Sequence, residues 1–459
     1  MDERRLERYL KLRSLAMEQR LRAAAPGLTR RGVLRLGLGL GALGLAGVVA
    51  GCGQATTTPT APAPTPTQPT TTGGGATPAG QSGQVVQGFD PEKVKTQRLR
   101  TIGLSVTVQD RILDEFKNRY GVAGVSGTTA TLDVAMNRVI ANPAEFDVNE
   151  TIGERVKAQA EAGVLQPIPL SAIPLWQYVR DFFKTPDPRW PEDRQIYGMI
   201  YTDDRTGLWM VPTVFNFDSI GYRPDLIDEP TSWADWLDDK HHGKAGLNVE
   251  PLTTFPRAFM ALRTLGLVSG TNPGNPTREE IDTVVDYLIE KKRKGFFRAI
   301  WGDFGELVNL MASGEVVIAD AWQPAVMAVK AQGIPCRYAV PKEGYVAWSI
   351  GISVVKDTPN YDAAVAYIDF WLSGWPAITV SEQGYYSPYT TIKDQMDADL
   401  YGFWYEGKPW SREAWRGIQP GELRDGGSLE ERAKNIGVWE QWPDEYDYLT
   451  QRWDELLTA

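Results

Sequence analysis

The chain has 459 residues, 42 % of them hydrophobic and 23 % charged, which allows two compact lobes and excludes a protein of many membrane spans. A formal net charge of −10 excludes an overall basic field, so no nucleic-acid partner is expected. The charge is uneven: residues 1–52 carry a net +6, leaving −16 for the remainder, and an acidic body mildly favours a cationic ligand.

Thr29-Arg30-Arg31-Gly32-Val33-Leu34-Arg35 resembles the twin-arginine export motif. An apolar stretch follows and ends in Val49-Ala50-Gly51-Cys52, a lipobox-like ending whose cysteine is diacylated and becomes the mature N-terminus. Paired arginines stay cytoplasmic, the apolar segment enters the membrane, and small residues admit the peptidase. The alternative is an uncleaved anchor over Val33–Gly51; both readings put the body outside the membrane and tethered to it. From Gly53 to Gln87 the chain is dominated by Thr, Pro, Gly, Ala and Ser without a charged residue, and cannot bury enough apolar area to order itself. The expected division is a signal peptide over 1–52 and a stalk over 53–92 with a reach of roughly 30 Å or more.

The body begins near Lys93. Leu99–Val106 reads as a first strand, and Asp110–Tyr120 as an amphipathic helix with Ile112, Leu113, Phe116 and Tyr120 on one side. Phe146-Asp147-Val148 is a short apolar run ending in Asn149-Glu150-Thr151, and strand ends are where α/β sheets place ligand groups. Gly153–Gly163 reads as a helix, and Val211–Tyr222 as one long strand able to cross between two lobes. Thr231 or Ser232 caps a helix, and Thr277 opens another with a capping box. Gly314 to Trp322 reads as a buried strand with a loop at its carboxyl end. The alternation of strands and helices predicts an α/β fold.

Chemistry-bearing residues are few. The two histidines, His241 and His242, are neighbours and point apart, which argues against a shared metal. With Cys52 acylated, Cys336 is a lone thiol and reads as a small core residue. Among the 16 tryptophans, Trp233, Trp236 and Trp371 sit in helical patterns and read as core. No Gly-x-Ser-x-Gly, Walker or zinc signature occurs, so no cofactor, metal or catalytic residue is expected.

From Leu99 to the C-terminus the order of elements resembles the periplasmic spermidine/putrescine-binding protein family, within the type 2 periplasmic binding fold. The resemblance is clearest in Trp322-Gln-Pro-Ala-Val, Gln332-Gly-Ile-Pro, Pro341-Lys-Glu-Gly and Trp348, with further matches at Thr231-Ser-Trp-Ala-Asp-Trp, Ala261-Leu-Arg-Thr-Leu-Gly and Gly384-Tyr385. It implies two α/β lobes with ligand trapped between them by hinge closure. Crossings fall near Asn216, Ser349 and Lys393, giving one lobe over 93–215 and 349–392 and another over 216–348 and 393–459.

The resemblance also implies a set of ligand-binding residues. Trp322 and Trp348 match aromatic walls of the polyamine cleft, and Tyr385 matches the family's Gly-Tyr tyrosine. The family's Trp-Thr pair after the first strand is Leu104-Ser105 here, keeping a hydroxyl at Ser105. Glu150 and Thr151 correspond loosely to a lobe-one loop, and Trp301-Gly302-Asp303 resembles a loop facing the cleft. The family's Trp-x-Asp reads Trp348-Ser349-Ile350, so its amine-gripping carboxylate is absent, and none stands at Thr253–Pro256 either. Glu150, Asp218, Asp303 and Asp320 are the candidate substitutes.

The expected role is a monomeric, lipid-anchored extracytoplasmic receptor passing a small organic solute, a polyamine-like amine foremost, to an ABC transporter permease. A sugar or small organic acid in the same role is the alternative. A secreted glycoside hydrolase is a further one.

Overall fold

The computed structural model describes residues 88–459; the expected signal segment, Cys52 and nearly all of the stalk lie outside the described residues. The strands are β1 (Arg98–Gly103), β2 (Gly124–Thr129), β3 (Val148–Ile152), β4 (Leu165–Gln166), β5 (Ile168–Pro169), β6 (Gly207–Leu208), β7 (Val211–Tyr222), β8 (Ala245–Asn248), β9 (Phe297–Trp301), β10 (Ile318–Ala321), β11 (Arg337–Tyr338), β12 (Tyr345–Val355) and β13 (Ile436–Trp439). The main sheet runs β2-β1-β3-β12-β7-β10-β8-β9. In one half β1 pairs parallel with β2 and β3; in the other β8 pairs parallel with β9 and β10.

β7 and β12 join the halves. Both are rich in β-branched and aromatic residues, and all their residues are buried, as suits strands covered on both faces. They run antiparallel with Trp348 opposite Asn216 and Ser349 opposite Phe215. Beyond that contact β12 pairs with β3, and β7 pairs with β10. The register skips between Ile350 and Gly351, where Pro212 withholds a ladder donor. A Cβ on Gly351 would lie 2.3 Å from the Val211 carbonyl oxygen, so only glycine admits this approach.

Helices link the parallel strands as the patterns predict. Asp110–Tyr120 buries Ile112, Leu113 and Phe116 and ends at Gly121 in the left-handed region (φ 67°). The helix Arg278–Arg293 opens on the Thr277–Glu280 capping box, and Ser232 rather than Thr231 caps Trp233–Trp236. Among the described residues apolar cores form around Phe116, Val148 and Tyr367, around Trp301, Leu307, Met311 and Cys336, and around Ile102, Val139 and Phe146. Trp233, Trp236 and Trp371 are fully buried. Burial pushes the Cys336 thiol up to about 12, so it stays protonated as a core residue. The fold is the expected α/β arrangement of two lobes about paired crossing strands. Among the described residues no helix is long and apolar enough to cross a membrane.

Candidate functional site

A cavity of about 550 Å³ opens between the halves. Its lining follows the rule that α/β sheets bind ligands beyond the carboxyl ends of their strands. Leu104, Ser105 and Val106 follow β1, Asp133 follows β2, and Arg155 follows β3. Glu250 and Leu252 follow β8, Gly302 and Phe304 follow β9, Trp322 follows β10, and Glu440 follows β13. The crossing strands add Asp218, Trp348 and Ile350, and the turn after the helix Trp375–Ser381 adds Tyr385.

Aromatic and apolar groups make most of the wall. The Trp348 and Tyr385 rings meet edge to face at 5.9 Å, and Trp322 stands edge-on to the buried Trp301 at 4.8 Å. Ile152, Leu252 and Ile350 are buried beside them. Depth sorts the polar groups: Ser105, Glu250 and Arg416 are exposed at the mouth, whereas Asp218, Arg155 and Glu440 are buried at the floor.

The floor charges form two networks. Arg257, fully buried, donates from Nη2 to Asp218 Oδ2 and from Nη1 to Asp320 Oδ2 at 3.4 Å. Asp320 also accepts from Asn248 N at 3.0 Å and Thr254 Oγ1 at 2.9 Å. Burial outweighs these partners and pushes the carboxyls up, Asp218 to about 6 and Asp320 to about 7. Across the cleft, Arg155 donates to Glu154 Oε1 at 2.8 Å and Asp133 Oδ1 at 3.2 Å. Burial raises the Glu440 carboxyl well above the ordinary range, and Glu154 and Asp218 push it the same way.

Trp322, Trp348, Tyr385 and Ser105 therefore stand on one cavity. Glu150, Thr151, Ser349 and Asp303 do not. β3 runs on to Ile152, four residues past Val148, so Glu150 and Thr151 lie inside the sheet rather than beyond it. Glu150 instead accepts from Thr101 Oγ1 at 2.9 Å and Tyr367 OH at 3.1 Å, and Thr151 Oγ1 accepts from Gln159 Nε2 at 2.8 Å. Ser349 Oγ donates to the Val214 carbonyl within the crossing. Asp303 caps the helix Phe304–Ser313, accepting from Gly305 N at 2.8 Å. Of the candidate substitutes only Asp218 lines the cavity. Sequence reasoning passed over Asp133, Arg155 and Glu440. Glu440 had a readable signal, since it directly follows the apolar run Ile436-Gly-Val-Trp439 and so occupies a strand end.

Residues 112–399 match the profile of the bacterial extracellular solute-binding proteins, more than half of the chain. The putrescine-binding periplasmic protein PotF of Escherichia coli (strain K12) is 21 % identical over 285 residues, covering 59 % of this chain and 72 % of that protein. The spermidine/putrescine-binding periplasmic protein of Salmonella typhimurium is 28 % identical over 195 residues, 42 % of this chain; the match spans 53 % of that relative's length. Among solved structures, the spermidine/putrescine ABC transporter substrate-binding protein PotD from Streptococcus pneumoniae superposes with a TM-score of 0.56 at 18 % identity. That superposition covers 79 % of this chain and 98 % of that one, a likeness of fold.

Proposed function

The chain belongs to the bacterial extracellular solute-binding proteins, and we propose that its cleft receives a small organic amine, polyamine-like in charge, for delivery to an ABC importer. The observation that carries this reading is the charge of the lining. Asp133, Asp218, Glu250, Glu382 and Glu440 stand against only Arg155 and Arg416. An ammonium entering a dry cleft loses its hydration, and carboxylates are the groups that replace it most fully. Cation–π contact with Trp322 and Trp348 adds about 0.5–2 kcal/mol each, too little alone.

A carboxylate ligand is less well served, because it would have to displace Glu154 or Asp133 from Arg155. A sugar would leave the excess acid unanswered. In the same reading Cys52 carries a diacyl anchor, the receptor works as a monomer, and no step of catalysis is involved; the mass of the mature N-terminal peptide checks the anchor.

A thermal-shift screen of the protein against polyamines, sugars, amino acids and organic acids tests the ligand class. Binding to the native state alone stabilises by about 2.7 kcal/mol at a hundredfold excess over Kd. Amines are expected to give the saturable shift. A shift with sugars or acids alone would refute the reading.

A further inference from the structure

We propose that the ligand's ammonium group is seated between Asp218 and Glu440 at the floor of the cleft, and that Glu440 is a specificity-determining residue kept there for that contact. This rests on the amine-receptor reading and adds the groups that make the grip.

Both side chains line the cavity, and both are buried, Asp218 at 0 % and Glu440 at 3 % exposure. The Asp218 carboxylate is met by the Arg257 guanidinium and the Trp348 indole, and beside it Glu440 Oε1 is buried without a hydrogen-bond partner. A buried acceptor left so has lost its water and gained nothing, a state that destabilises the fold unless something else uses it. An ammonium brings three donors and a positive charge. Trp348 hydrogen-bonds to Asp218 and Tyr385 feels its charge, so the aromatic walls reach the same floor. Ile152 and Ile350 also line the cavity and accept nothing, and Glu250 is exposed, so the buried pair Asp218 and Glu440 is the anchor.

The charges around Glu440 fit a site waiting for a cation. Glu154 and Asp218 oppose its ionisation while Arg257 and Arg155 favour it, and Asp133 and Glu250 line the cavity as further acids. Arg257 already serves two aspartates and Arg155 two acids, so the guanidiniums are shared out. The folded protein therefore holds a proton on Glu440 that the unfolded chain releases above its ordinary 4.5, and stability falls as pH rises from there. A bound ammonium supplies the positive charge instead of the proton, so amine affinity rises with pH while the amine stays protonated.

Glu440→Gln keeps the shape and removes the charge. Glu150→Gln is the comparator: that carboxylate is also fully buried, but it is held by Thr101, Thr107 and Tyr367 and lies off the cavity. Putrescine is the probe, read by thermal shift and titration calorimetry at pH 6 and pH 8. Glu440→Gln is expected to match or exceed the wild-type ligand-free Tm, with the margin widening at pH 8, and to weaken putrescine binding at least tenfold. Glu150→Gln is expected to leave putrescine binding within about twofold. A Glu440→Gln protein that binds putrescine like the wild type overturns the proposal, as does one whose ligand-free Tm is lower. If the wild type answers to no amine, the receptor reading fails by itself. The Tm comparison then still decides whether Glu440 is a strained carboxylate or a structural one.

Discussion

Glu440 and Ile350 illustrate how single positions decide this cleft. Ile350 is buried on the cavity wall, and the motif resemblance sets it against an acid of the family's Trp-x-Asp. Ile350→Asp should raise putrescine affinity about tenfold, near 1.4 kcal/mol, by meeting the amine's second end. The same change should lower ligand-free Tm, since it buries a charge with no partner. Calorimetry and melting curves read both; unchanged affinity would place the second amine elsewhere. Trp322, Trp348, Tyr385 and Ser105 were legible as lining residues through the ordered series of motifs on which the family resemblance rests. Asp218 was legible only as a candidate, because nothing local says which face of a long buried strand an acid takes. Glu150, Thr151, Ser349 and Asp303 were misplaced for local reasons: a strand that runs on to Ile152, a hydroxyl turned to a neighbouring carbonyl, and a cap.

At the scale of elements, local chemistry was the most legible part. Asp110–Tyr120 and Val211–Tyr222 occupy their predicted spans, and the Thr277 capping box forms, because periodicity and capping are written within a few residues. Pairing register is not local, so the skip at Gly351 opposite Pro212 had no sequence signal. It bears on function, since this junction joins the strands that carry Asp218, Trp348 and Ile350. Gly351→Ala puts a Cβ 2.3 Å from backbone oxygen and should cost about 1–3 kcal/mol of stability. Denaturant melts read the loss. A neutral result would mean that the two crossing strands can slide apart by the width of a methyl group.

Across the whole molecule, a lobed α/β body with net −16 beyond residue 52 places its floor acids where two halves meet. The floor networks are divided between them: Arg155, Glu154 and Asp133 follow β2 and β3, while Asp218, Arg257 and Glu440 belong to β7, the helix after β8 and the residue after β13. A cation between Asp218 and Glu440 is thus gripped by one of these groups, with Glu154 and Arg155 of the other near enough to act on Glu440. Fold and family were legible because a chain-long order of weak motifs is jointly specific. The anchor was not, because it assembles from acids far apart in sequence.

Titration calorimetry of the protein with putrescine at pH 8 tests the central claim most directly. The account predicts saturable binding of one amine per chain with a dissociation constant of about 1 μM or tighter, near 8 kcal/mol. Heat-silent titrations with putrescine and spermidine, beside a saturable isotherm for a sugar or an organic acid, would contradict it.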